Sequence, residues 1–121
     1  MNDYQKNVAR HLNEIGVDVI IGTHPHVIQT CEWYTNDKND NKTLICYSLG
    51  NFISSQTTPP RNASIILHLT VEQVADEAPN VTEVSFVPIW TQFRNAADEN
   101  HFVVRSVTER LSLSQVEKDR Q

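Results

Sequence analysis

Apolar residues recur at Val8, Leu12 and Ile15, with Ala9 beside them, in an otherwise polar run over residues 3–16. A spacing of three and four predicts an amphipathic helix. Asn2 or Asp3 supplies the cap for its free N–H groups, and Gly16 stands where helices end in a left-handed residue. The period then changes. Val17-Asp18-Val19-Ile20-Ile21-Gly22 is short, β-branched and nearly all apolar, the pattern of a strand covered on both faces. Residues 23–26 form a loop at its carboxyl end. Strands are predicted at 27–34 and 43–47, joined as a hairpin by the polar tip 35–42. The midpoint between Cys31 and Cys46 falls within that tip, so the two cysteines are expected opposite or nearly opposite each other.

Residues 48–51 read as a turn and 56–62 as a surface loop. Strict alternation returns at 64–71, with Ile65, Leu67, Leu69 and Val71 on one face and Ser64, Ile66, His68 and Thr70 on the other. Two more strands are predicted at 81–90 and 101–107, separated by the polar stretch 95–100. Residues 111–118 read as a short terminal helix. The chain is thus α/β and strand-rich, with one clear N-terminal helix: residues 1–107 as one unit and 108–121 as a tail or short helix. One helix cannot cover both faces of a strand as apolar as 17–21. Part of the fold is therefore expected to lie outside this chain, leaving an apolar face at Val8, Leu12, Ile15, Val19 and Ile21.

The length of 121 residues fits one domain or a piece of one. Ten basic and fifteen acidic residues give a formal charge of −5, which argues against nucleic acid or an anionic membrane as a non-specific partner. Neither a leader pattern nor an apolar run long enough to span a bilayer is visible. Cys31 and Cys46 fit neither a zinc knuckle nor a CxxC redox motif and are expected as free thiols. A disulfide between them requires an oxidising compartment.

The sharpest chemical feature is Gly22-Thr23-His24-Pro25-His26. Two imidazoles one residue apart follow a buried strand at the end where α/β sheets place ligands. A loop can aim both rings at one point or at two adjacent metal ions, and imidazole suits zinc, iron, manganese, nickel and copper. Loop histidines bonded to backbone, or an acid–base or phosphate-contact role, are the alternatives from spacing alone. His11, His68 and His101 are expected at or near the surface. Asp18 is the acid nearest the loop, within the strand that precedes it. Tyr47-Ser48-Leu49-Gly50-Asn51-Phe52 is a turn from which Asn51 is a candidate cleft residue. Ser48 lacks the Gly-x-Ser-x-Gly surroundings of a hydrolase nucleophile.

The stretch from Gly16 to Gln29, followed by Ile45-Cys46-Tyr47-Ser48-Leu49-Gly50-Asn51-Phe52, resembles the bacterial CapA family of poly-γ-glutamate and capsule synthesis proteins. Gln5, Ala9 and Leu12 resemble its preceding helix, and Phe86-Val87-Pro88-Ile89-Trp90 its late proline-bearing strand. The family is similar to calcineurin-like metallophosphoesterases, so the resemblance implies the C-terminal portion of a two-sheet sandwich flanked by helices. It implies that His24 and His26 are metal ligands of a divalent centre in the parent protein. It assigns Asn51 a motif position without a metal role. The family's earlier motifs (an aspartate, an asparagine–histidine pair and a His-Trp-Gly segment) are absent and would precede Met1. A truncated domain is therefore expected, with weak or no metal binding of its own and inactive alone. Its expected partners are the missing N-terminal portion or a second copy. Two readings of the parent follow: a metal-dependent hydrolase or transferase, or a non-catalytic component (or inactive remnant) that binds a polyanionic polymer or capsule-assembly proteins. By resemblance the parent is extracytoplasmic or membrane-associated.

Overall fold

A computed structural model describes residues 1–96 and 99–107. Helix α1 (Asp3–Glu14) starts at Asn2, whose side chain accepts from the Gln5 N–H while the Gln5 side chain accepts from the Asn2 N–H, both at 2.9 Å. This reciprocal box satisfies two of the free donors at the helix start. At the other end Gly16 takes φ +91°, and the Gly16 and Val17 N–H groups return to the Asn13 and Leu12 carbonyls. That pair of bonds is a Schellman ending.

The buried face of α1 is not the stripe that the apolar spacing predicts. Ala9 and Asn13 are buried, whereas Val8 and Ile15 are 40% and 65% exposed. A polar network sets the rotation. The Asn13 amide donates to Thr43 Oγ1 at 2.8 Å and to the Asn41 carbonyl at 2.9 Å. Thr43 in turn donates to the Val17 carbonyl, and the Asn41 amide to the Asn13 carbonyl. With Asn13 held this way, Ala9 seats on Ile45 and Tyr47, with Ile20 and Tyr34 at the margin.

The first sheet contains β1 (Val19–Ile21), β2 (Cys31–Thr35) and β3 (Lys42–Cys46), in the order β1-β3-β2. β1 runs parallel to β3 with Ile21 opposite Cys46, and β2 runs antiparallel to β3 with Cys31 opposite Cys46. The cysteines thus stand in the expected register. Two strands are shorter than expected. Asp18 precedes β1, its carbonyl taken by the Leu44 N–H, and Ile28 forms only an isolated bridge to Leu49 before β2 begins. β1 is not covered on both faces. It is an edge strand among the described residues, and Ile21 is 49% exposed. Of the expected apolar face, Val8, Ile15 and Ile21 are exposed, and Leu12 and Val19 are half-buried.

The second sheet is an antiparallel meander of β4 (Ala63–Glu72), β5 (Asn80–Ala96) and β6 (Glu99–Ser106). Ile65, Leu67 and Leu69 share the half-buried face as expected, but a register shift at Thr70/Val71 leaves Val71 exposed. β5 runs past the expected end at 90. Thr91 and Gln92 lie opposite Val104 and Val103 of β6, and the Thr91 N–H donates to the Asn62 carbonyl. Cross-strand bonding carries into the strand polar residues that lie beyond the predicted end. The sheets are joined at Leu49, whose carbonyl accepts from the Ile65 N–H and from Ser64 Oγ. Among the described residues the structure is α/β and strand-rich, with two small sheets and one N-terminal helix. The predicted helix at 111–118 lies outside the described residues.

Replacing Asn13 with alanine removes one of the two donors to the Asn41 carbonyl, which keeps the Asn36 N–H, and leaves an acceptor site on buried Thr43 empty. We expect a loss of about 2 kcal/mol, read as a lower urea midpoint. Val8→Ala on the exposed side should change stability by less than about 0.5 kcal/mol.

Candidate functional site

β1 ends at Ile21, and the chain then crosses the end of β3. The Gly22 N–H donates to the Cys46 carbonyl at 2.7 Å. A Cβ on Gly22 would sit 2.1 Å from the Tyr47 carbonyl oxygen, so no other residue fits without moving one of the two strands. Thr23-His24-Pro25-His26 follows at the carboxyl end of β1. His24 and His26 adopt φ +96° and +62°. Such angles are uncommon outside glycine, and strained backbone gathers at functional sites. Both side chains are exposed, with ring centroids 6.3 Å apart and planes inclined at 43°. The loop therefore presents both rings to solvent at one end of the sheet.

Asn51 holds this loop from the side. Its Nδ2 donates to the Arg61 carbonyl at 2.9 Å and lies 3.3 Å from both the His26 carbonyl and Gln56 Oε1. Its Oδ1 lies 2.8 Å from His26 Nδ1. The amide nitrogen faces three oxygens, so the atom facing the ring is the oxygen, which can only accept. In its neutral form His26 therefore carries its proton on Nδ1, leaving the Nε2 lone pair free. Fixing a histidine tautomer through its second nitrogen is how proteins orient imidazoles for metal binding or proton transfer. Gly50 (φ +81°) makes the turn that delivers Asn51; a Cβ there would meet the Ala63 carbonyl at 2.7 Å.

His24 and Pro25 border an open groove with Asn2, Tyr4, Gln5, Thr23 and Gln29. Gln5 Nε2 donates to Gln29 Oε1 at 2.8 Å, tying the start of α1 to the loop. The sequence reading did not assign site roles to Gln5, Gln56 or Arg61. The contributing Arg61 atom is a backbone carbonyl, which no side-chain motif reveals.

Other candidates are not brought in. Asp18 lies at the amino end of β1, in a hollow with Trp33, Lys42 and Asn80. Ser48 is buried, and its Oγ accepts from the Gly50 N–H. His11 and His68 are exposed, as expected. His101 departs from the surface position expected of it: it is half-buried, with Nδ1 enclosed and lacking a hydrogen-bond partner. The extension of β5 places Arg94 opposite it in β6. Among the described residues, no cluster of three or more histidine, cysteine or acidic side chains could hold a metal ion. The two imidazoles are half of a four-ligand set, and the described residues do not complete it.

Residues 1–56 match the family described as bacterial capsule synthesis protein PGA_cap. This segment contains α1, the first sheet, the histidine loop and Asn51. Over this segment the chain is similar to the CapA family of capsule synthesis proteins. It is 41% identical over 66 residues to the PGA biosynthesis protein CapA of Bacillus subtilis (strain 168), covering 54% of this chain and 16% of that protein. It is 34% identical over 113 residues to the capsule biosynthesis protein CapA of Bacillus anthracis, covering 89% of this chain and 25% of that protein. The chain thus spans a quarter or less of the length of these CapA relatives. No solved structure gives a significant match.

The Asn51 contact makes a spectroscopic prediction. Nitrogen-15 spectra at mildly alkaline pH should show His26 protonated at Nδ1. In Asn51→Ala the ring should shift toward the Nε2–H tautomer, with His24 unchanged.

Proposed function

We propose that this chain supplies one wall of a metal-dependent site used in making a capsule polymer of the poly-γ-glutamate type. The carrying observation is the tautomer lock: Asn51 directs the His26 proton to Nδ1 and leaves Nε2 as a ready ligand atom. His24 and His26 are the ligand pair of this reading. The remaining ligands, including the carboxylates that a divalent centre needs for charge balance, come from protein segments other than the described residues. Phosphoesterase-like hydrolysis or transfer is the chemistry that such a centre would support in the whole protein. Placement outside the cytoplasm or at a membrane goes with capsule export; among the described residues no helix is long and apolar enough to cross a membrane.

The free edge of β1 bears on partners. Unpaired strand edges recruit further strands, and Ile21, Val8 and Ile15 add apolar surface beside this one. Further strands of the whole CapA protein are the proposed occupant, with a second copy taking their place in the isolated chain. Sedimentation velocity on the isolated chain should then show species heavier than the 13.8 kDa monomer. A monodisperse monomer at high concentration would count against this pairing.

A chimera tests the function. The aligned segment of the Bacillus subtilis CapA is replaced by this chain's, and polymer output and bound metal are measured. The expected result is retained polymer and metal, with at least about a tenfold loss of both in His24→Ala and His26→Ala. The isolated chain should bind zinc weakly in calorimetry, as half of a donor set does. The incomplete donor set also favours a second reading, a component that binds a polyanionic polymer or assembly proteins without catalysis. A chimera that makes polymer without metal, and is indifferent to both alanine changes, would support that reading over the first.

A further inference from the structure

We propose that Cys31 and Cys46 are a redox pair that closes a cross-strand disulfide and staples the neck of the histidine loop. Both are free thiols in this structure, one exposed and one buried, and they stand directly opposite each other in the β2–β3 ladder. The ladder is bracketed by the bonds from the Asn36 N–H to the Asn41 carbonyl and from the Tyr47 N–H to the Thr30 carbonyl. Bonded and non-bonded pairs alternate in an antiparallel ladder, so the 31/46 pair is non-bonded, the kind whose side chains approach most closely. The ordinary spacing of such a pair, about 4.5 Å between Cα atoms, lies within the range that a disulfide spans.

The position gives the link a consequence. The loop leaves the sheet just after Ile21, which pairs with Cys46, and re-enters it at Cys31, which also pairs with Cys46. A disulfide would tie the return end covalently to the residue that anchors the outgoing end through the Gly22 N–H. Between those points lie His24 and His26. Oxidation therefore stiffens the site's frame without touching a histidine.

The chemistry balances with a small-molecule disulfide as oxidant. Burial, then Cys31, pushes the Cys46 thiol up to about 12, so the solvent-facing Cys31 reacts first. Its thiolate attacks one sulfur of the oxidant, whose S–S bond breaks, and one small thiolate leaves and takes up a proton. Cys46 then gives up its proton, and its sulfur attacks Cys31 Sγ, displacing the second small thiol. Two protein thiols are oxidised and one small disulfide is reduced to two thiols.

The test is equilibration of the chain in glutathione buffers of stepped ratio, acid quenching, alkylation and peptide mass mapping. The expected product is a monomeric chain lighter by two hydrogens, with the Cys31 and Cys46 peptides linked. Cys46→Ala should instead retain a glutathione adduct on Cys31. In concentrated urea the linked fraction at the same ratio should fall at least about tenfold, because the fold presents the pair. Amides of residues 22–30 should exchange about tenfold more slowly in the oxidised chain. The proposal is overturned if both thiols still alkylate after oxidation, or if a Cys31 adduct or an intermolecular link accumulates in the unmutated chain. It is equally overturned if urea leaves the linked fraction unchanged, or if loop exchange does not respond to oxidation. None of these readouts depends on the histidines binding metal.

Discussion

β3 is hydrogen-bonded on both edges, and the described site depends on that. It accepts β1 in parallel on one side and β2 antiparallel on the other, and its residues from Thr43 onward, with Tyr47 and Ser48 beyond it, are buried. α1 reaches the sheet through Ala9 on Ile45 and Asn13 on Thr43. The loop that bears the histidines is fastened to the same strand end, where Gly22 bonds to Cys46 and lies against the Tyr47 carbonyl. The turn that follows then delivers Asn51 back to His26. One strand and its continuation thus set both the histidine loop and the residue that orients it.

The arrangement explains why a loop can hold strained residues. Two excursions to positive φ, at His24 and His26, carry a cost of about 1–3 kcal/mol each. They are offset by bonds that over-determine the loop: Gln29 N–H to the Ser48 carbonyl, Gln5 to Gln29, and Asn51 to both His26 and Arg61. These contacts converge from α1, from the turn after β3 and from the approach to β4. The site is therefore a junction of elements distant in sequence, though most of its side chains fall within residues 1–56, which match the capsule-synthesis family.

Much of this was legible in the sequence because local rules decide it. The cap at Asn2, the stop at Gly16, the hairpin about residues 35–42 and the cysteine register each follow from a few neighbouring residues whose conformational options are narrow. The His-Pro-His spacing likewise marked the loop, and with Ser-Leu-Gly-Asn-Phe it marked the family. What the sequence did not decide was which face of α1 is buried, because the apolar count at Val8, Leu12 and Ile15 outweighs one asparagine until Thr43 and Asn41 are seen to bind it. Nor did it decide the length of β5, whose mostly polar residues 91–96 are strand only because β6 lies opposite. The role of Asn51 was out of reach for the same reason. Its partners, His26 and the Arg61 carbonyl, lie 25 and 10 residues away, and no periodicity encodes a contact made across a turn. Residue type and spacing fix what a segment can form. Only the meeting of segments fixes which polar groups lose water together, and that loss selects the rotation of α1, the extent of β5 and the tautomer of His26.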